Sequence, residues 1–145
     1  MALRDIQFLF EIGSLRNIPR AWIQHLGRPC ASNLEHTMRV IFLALLIARK
    51  EGKGDENMII RMALAHDLPE TRTADLAYVH KVYSQTDDAR AARDLFAGTS
   101  FADFEDIHAR YEKRDTIEAK IVKDADNLDI DLELKEFEEQ GHKLP

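Results

Sequence analysis

The chain of 145 residues carries a single cysteine, Cys30. That excludes an intrachain disulfide scaffold and any zinc module built on four Cys or on Cys2His2. Only four prolines and six glycines are present, too few for a collagen-like or low-complexity chain. Basic residues are outnumbered, 20 Lys and Arg against 26 Asp and Glu, for a net charge of −6. A non-specific grip on nucleic acid sets many Lys and Arg against phosphates, so no nucleic-acid polymer is expected as a partner. A small anion is still compatible, because a local arginine outweighs distant negative charge. Long apolar runs are missing too. The most apolar stretch, Val40–Ala48, is far short of the ~20 residues of a bilayer span, so no membrane partner is expected. The start, Met1-Ala2-Leu3-Arg4-Asp5, has no basic segment leading into an apolar core. A cytoplasmic protein with Cys30 reduced is the expectation.

The chain is 45% hydrophobic and 32% charged, as expected of one soluble globular domain spanning residues 1–145. Its periodicity is helical nearly throughout, and alternating β-branched runs are lacking. Leu3, Ile6, Phe10 and Gly13 outline a first short helix, followed by a loop over residues 14–33. Ser32-Asn33-Leu34-Glu35 is a capping box that opens a helix from Asn33 to Glu51. That helix is apolar on nearly all sides, which predicts a central, buried element. Further helices are expected from Glu56 to about Asp67, closed by Pro69, then over Ser84–Ala97 and from Ser100 or Asp103 to about Lys113. A last long one opens at Asp115 with Glu118 and ends near Gly141. The stretch Gly141-His142-Lys143-Leu144-Pro145 ends abruptly, and a further C-terminal segment is expected. The fold class is all-α, a compact single-domain helical bundle.

Residues able to bind a metal sit in three separate apolar helices: His36, His66 with Asp67, and Asp124 with Asp126. Singly, each has an ordinary explanation. A His on an apolar face is commonly a hydrogen-bonded core residue. His66-Asp67 suits a helix C-terminus and the loop after it, and the two aspartates suit a solvated face. Together, two imidazoles and two carboxylates make an N2O2 donor set suited to Mn, Fe, Co, Ni or Zn. Periodicity does not choose between Asp124, on the stripe of Ile117, Ile121 and Leu128, and Asp126, nearly opposite with Val122, Ile130 and Phe137.

The ordered segments Asn33-Leu34-Glu35-His36-Thr37, Ala65-His66-Asp67-Leu68-Pro69-Glu70 and Lys123-Asp124-Ala125-Asp126-Asn127-Leu128-Asp129 resemble the H…HD…D signature of HD-domain metal-dependent phosphohydrolases. The likeness is closer to the 5′-deoxynucleotidase-like branch and runs from about Leu15 to Gly141. That branch carries an Arg and a Trp in the loop before the first His, as Arg20 and Trp22 stand here. It carries a Glu three residues after the HD pair and an Asp five further, as do Glu70 and Asp75. Where it often has Gly before that Asp, this chain has Ala74.

The resemblance implies a homodimer with one divalent metal ion (Mn, Co, Zn, Ni or Fe) per site, held by His36, His66, Asp67 and Asp126. Asp124 is then a supporting or structural residue. It implies Glu70 as a catalytic proton carrier beside Asp67, Arg20 as the phosphate ligand, and Trp22 as a platform for base or sugar. Asp75 would touch the sugar hydroxyl or a neighbouring loop. Arg39 and Arg72 are additional phosphate candidates read from charge alone. His25, His80, His108 and His142 are read as surface or structural, and Cys30 has no His-Asn arrangement to make it a nucleophile. The expected activity is release of phosphate from nucleoside 5′-monophosphates, deoxyribonucleotides above all. A nucleotide triphosphohydrolase or related phosphoester hydrolase is the alternative within metal chemistry. A non-catalytic metal- or nucleotide-binding sensor is the alternative outside it.

Overall fold

The structure is a computed structural model and describes residues 2–143; the expected continuation beyond Pro145 lies outside them. Helix α1 spans Leu3–Gly13 and runs into a 3-10 turn at Ser14–Asn17. The one-turn helix α2, Ile23–Leu26, lies in the loop that follows. Among the described residues, β pairing is confined to one bridge, Pro19 to Ser32, which closes the base of that loop.

The capping box forms as predicted and starts α3, Asn33–Glu51. The Ser32 hydroxyl accepts from the Glu35 amide while the Glu35 carboxylate accepts from the Ser32 amide. Gly52 ends the helix at φ 62, a left-handed conformation that glycine adopts at little cost. Helix α4, Glu56–Ala65, is capped by Asp55. It stops well before Pro69, so His66 and Asp67 lie just past it in a run of tight turns that leads into the one-turn helix α5, Glu70–Thr73.

A single turn, α6, forms at Tyr78–Lys81. Helix α7 is shorter than the periodicity predicts, Asp88–Phe96, because the Asp87 side chain caps it four residues into the expected span. Helix α8 covers Phe104–Lys113. Helix α9, Ile117–Glu139, is capped by Thr116 rather than by the expected Asp115.

The main core lies where α3, α4, α8 and α9 meet. Alanines 44, 48, 63, 119 and 125 interleave with Val40, Ile59, Met62, Ile107, Ile121 and Val122. Small side chains at the crossings let the helix axes approach, and the branched ones fill the gaps. A smaller cluster of Phe8, Ala92, Leu95 and Phe96 joins α1 to α7. Helix α3 departs from expectation on one side. His36, Val40, Ala44 and Ala48 are buried, but Leu34, Met38, Phe42 and Leu46 form an exposed stripe. Apolarity all round thus marks a helix with two apolar faces, only one of which meets this chain's own core.

Candidate metal centre and cleft

Three elements deliver the donors. On α3, Asn33 and His36 share one face at i, i+3, and Val40 continues it into the core. The turns after α4 hold His66 and Asp67, and α9 carries Asp126 and Asp129, also at i, i+3. The two imidazoles converge with Nε2 atoms 3.3 Å apart. Asp67 Oδ2 lies 3.4 Å from His36 Nε2 and 3.2 Å from His66 Nε2. Asp126 Oδ1 lies 3.2 Å from His36 Nε2. Among the described residues His36, His66 and Asp67 form the tight donor cluster, and Asp126 lies against it on the His36 side.

The outer ring nitrogens explain why the inner ones converge. His66 Nδ1 donates to the Ala63 carbonyl at 2.7 Å, and His36 Nδ1 faces Asp129 Oδ2 at 2.6 Å. An Nδ1 opposite an oxygen acceptor carries the hydrogen, so a neutral ring turns its Nε2 lone pair inward. Two facing lone pairs between carboxylates need a cation. In the metal-free protein that cation is a proton. Burial opposes charge on His36, yet Asp126, Asp129 and Asp67 raise its pKa to about 10. Burial likewise opposes charge on Asp67, but His66 and His36 hold its carboxyl well below the usual range. The donor set fits a divalent metal on its own chemistry.

Arg20 is 6% exposed and reaches the centre from the loop. Its Nη1 lies 3.2 Å from Asp67 Oδ2 and 3.3 Å from Asp75 Oδ2, and donates to Asn33 Oδ1 at 3.1 Å. Its guanidinium stacks 4.7 Å from the Trp22 ring centroid. Glu70 stands beside it and accepts a hydrogen bond from Asn33 Nδ2. Burial, then the charges of Asp67 and Asp75, pushes the Glu70 carboxyl up to about 9. Asp75 accepts from the Ala21 amide at 3.0 Å. Arg20, Trp22, His66, Asp67, Glu70, Asp75 and Asp126 border one cleft of about 480 Å3, which Tyr111, Arg114 and Lys123 also line. That volume suits a small organic ligand.

Several expectations are corrected. Asp124 is exposed and supports nothing at the centre. The supporting carboxylate is Asp129, fully buried, which accepts from both His36 and Arg39. Arg39 is thereby committed to Asp129 and Glu136, and Arg72 to Glu11, so neither faces the cleft as a phosphate ligand. His25 and His108 line the cleft, and His108 is buried, in keeping with the structural alternative. Asn33, which links Arg20 to Glu70, was not singled out; its place three residues before His36 on a capped helix was the available signal. Asp129 had the same kind of signal, three residues after Asp126.

Two imidazoles and the Asp67 carboxylate, with Asp126 beside His36, make a donor set in a helical bundle that suits a divalent cation. The chain belongs to the HD domain family, whose model matches residues 12–144, and is a metal-dependent phosphohydrolase. It is 27% identical, over 95% of its length, to the 5′-deoxynucleotidase HDDC2 of Homo sapiens, of which it covers 70%. Over 96% of its length it is 28% identical to the 5′-deoxynucleotidase HDDC2 of Dictyostelium discoideum, covering 80% of that protein. Among solved structures, a conserved hypothetical protein from Pyrococcus furiosus matches with a TM-score of 0.83 at 29% identity, over 95% of this chain and 85% of that one. A protein from Pyrococcus horikoshii matches with a TM-score of 0.80 at 26% identity, over 95% and 81%.

Proposed function

We propose that the protein releases phosphate from nucleoside 5′-monophosphates, with deoxyribonucleotides as the preferred class. The observation that carries this reading is the place of Arg20. A buried guanidinium stands between the metal-ligand carboxylates and an indole, at the mouth of a nucleotide-sized cleft. Its fork of donors matches phosphoryl oxygens, and the ring beside it offers a surface for sugar or base.

His36, His66, Asp67 and Asp126 would hold the metal, which when bound supplies a Lewis acid for the phosphoryl group and lowers the pKa of a bound water. Lys123 donates to Asp126 Oδ2 at 2.7 Å, leaving the Oδ1 atom turned toward His36. Glu70 is the group placed to carry a proton to the leaving oxygen. Its raised pKa suits it to protonate the departing 5′ oxygen, while Asn33 fixes the orientation of its carboxyl. Arg20 draws the phosphate against Asn33 and Asp67. The identity of the metal stays open among Mn, Co, Zn, Ni and Fe, because N2O2 sites separate these ions weakly.

The same reading makes the protein a cytoplasmic homodimer. Among the described residues no helix is long and apolar enough to cross a membrane. The exposed stripe of α3 is an apolar surface of the kind that subunit contacts cover.

The test is phosphate release from deoxy- and ribonucleoside 5′-monophosphates by protein stripped of metal and reloaded with single cations. Asp67→Ala should abolish release together with metal binding. Glu70→Gln should keep the metal and lose about 10²–10⁴-fold in kcat, the usual range for a general acid. Bound metal with no release from any monophosphate would refute the reading, and pyrophosphate from a triphosphate would replace it.

A further inference from the structure

Glu133 lies on α9, seven residues past Asp126 and on the same face of the helix. It is 4% exposed, and neither the metal cluster nor the proton path uses it. Both of its oxygens are engaged. Oε2 accepts from the Trp22 indole Nε1 at 3.1 Å, and Oε1 accepts from the Ala31 amide at 2.6 Å. These two donors sit near opposite ends of the loop that carries Arg20. Below them the loop is closed by the Arg20 amide on the Ala31 carbonyl at 3.0 Å and by the Pro19–Ser32 bridge.

Packing alone would not call for a carboxylate at such a position. Burying one costs free energy unless donors are arranged for it, and an apolar residue would fill the space more cheaply. What two directed hydrogen bonds add is orientation. The indole cannot rotate about its side-chain bonds without losing Glu133, and its ring is the surface over which the Arg20 guanidinium lies. The indole N–H points at α9 and is consumed there.

We infer that Glu133 is a positioning residue for substrate: it locks Trp22, and through Trp22 the phosphate-facing Arg20. By taking the indole N–H it leaves Trp22 to meet the substrate with its ring alone. This rests on the nucleotide reading of the cleft. It assigns Trp22 a recognition role based on shape and stacking, without a hydrogen bond from the indole to a sugar hydroxyl.

Trp22 is the only tryptophan in the chain, so its emission reports this clasp directly. The experiment compares the metal-loaded parent with Glu133→Leu and the near-isosteric Glu133→Gln. It reads tryptophan emission and acrylamide quenching, competition by inorganic phosphate, bound metal, and kcat and KM on a deoxynucleoside monophosphate. Glu133→Leu should red-shift the emission and increase quenching. It should raise KM and the inhibition constant of phosphate about tenfold or more, with bound metal unchanged and kcat within about threefold. Glu133→Gln keeps one accepting oxygen and should fall between the two, even where the leucine variant does not fold. Parent-like emission and parent-like phosphate competition in the folded variants would overturn the inference. So would a loss confined to kcat or to bound metal. Failure of the nucleotide reading shows in the parent as absent turnover, whereas the emission and phosphate readouts require none.

Discussion

Asp129 makes no contact with the point where a metal would sit, yet it decides which His36 nitrogen faces that point. Its Oδ2 takes the Nδ1 hydrogen and its Oδ1 takes Arg39, both at a site with no solvent exposure. Burial alone would raise such a carboxyl; the hydrogen bonds from His36 and Arg39 hold it below the usual range. The charge on Asp129 therefore serves the imidazole in two ways, fixing the tautomer and making the ring a better donor. Asp129→Asn removes that charge. It also allows an amide N–H to face Nδ1, which would move the ring hydrogen to Nε2. Metal affinity should fall about 10–100-fold, measured by competition with a chelating indicator, while helix content stays at the parent's level. Undiminished affinity would mean that His36 is oriented by packing alone. Asn33 works at the same scale with a different currency: one side chain accepts from Arg20 and donates to Glu70, so a single amide sets the spacing of two charged groups.

Secondary elements bring these residues together through their ends more than through their middles. Helix α3 begins at a capping box, and its first inward-facing residues are Asn33 and His36; α4 ends one residue before His66. The turns that follow leave Ala74 at φ 60 and ψ 163, a conformation populated almost only by glycine. That conformation turns the chain so that Asp75 reaches the Ala21 amide and Arg20. The alanine there bears a strain of about 1–3 kcal/mol. Ala74→Gly should stabilise the protein by about 1 kcal/mol, since the gain is partly offset by the freer unfolded chain. In a domain of this size that is a melting temperature higher by about 2–4 °C, with activity retained. A lower melting temperature would show the strain to be absent.

Helix α3, its cap and the all-α class were legible in the sequence, since each rests on local chemistry or on periodicity over many residues. The nearness of His36, His66 and Asp67 was expected from the resemblance to the HD signature rather than from periodicity. The choice of Asp126 over Asp124 came from the resemblance alone, since periodicity left both open. The short turns α2, α5 and α6 were not legible, because single turns have no period to detect. The exposure of Leu34, Met38, Phe42 and Leu46 was not legible either, since an apolar face looks the same whether its cover is intramolecular or absent. Arg39 and Arg72 were misread because charge says nothing about a partner 90 or 61 positions away along the chain.

For the molecule as a whole, protons and the metal compete for one cluster, and this couples stability to pH. In the metal-free protein His36 rises from an ordinary 6.5 to about 10, and Glu70 from 4.5 to about 9. Both folded values exceed the unfolded ones, so the native state binds more protons over these ranges and its stability falls as pH rises. The contribution of His36 is fully present below pH 6.5 and is lost through pH 10. The cost of ionising Glu70 accumulates from about pH 4.5 to 9. The depressed Asp67 and Asp126 act in the opposite sense and only in acid: their contribution is present above the unfolded carboxylate range and is lost below it. Metal-free protein should accordingly be most stable near pH 5 and lose stability steadily toward pH 9.

A bound divalent cation replaces the His36 proton, so loading releases about one proton near neutrality. Apparent metal affinity should then rise about tenfold per pH unit between pH 6 and 8, and the gap in melting temperature between loaded and metal-free protein should widen with pH. Melting curves at fixed free metal across that range measure it. A gap that stays constant would mean that the cluster carries no proton in the absence of metal. Asp129→Asn supplies a second arm. It withdraws one of the carboxylates that raise His36, so the metal-free protein should lose less stability between pH 6.5 and 10 even as its affinity for metal falls.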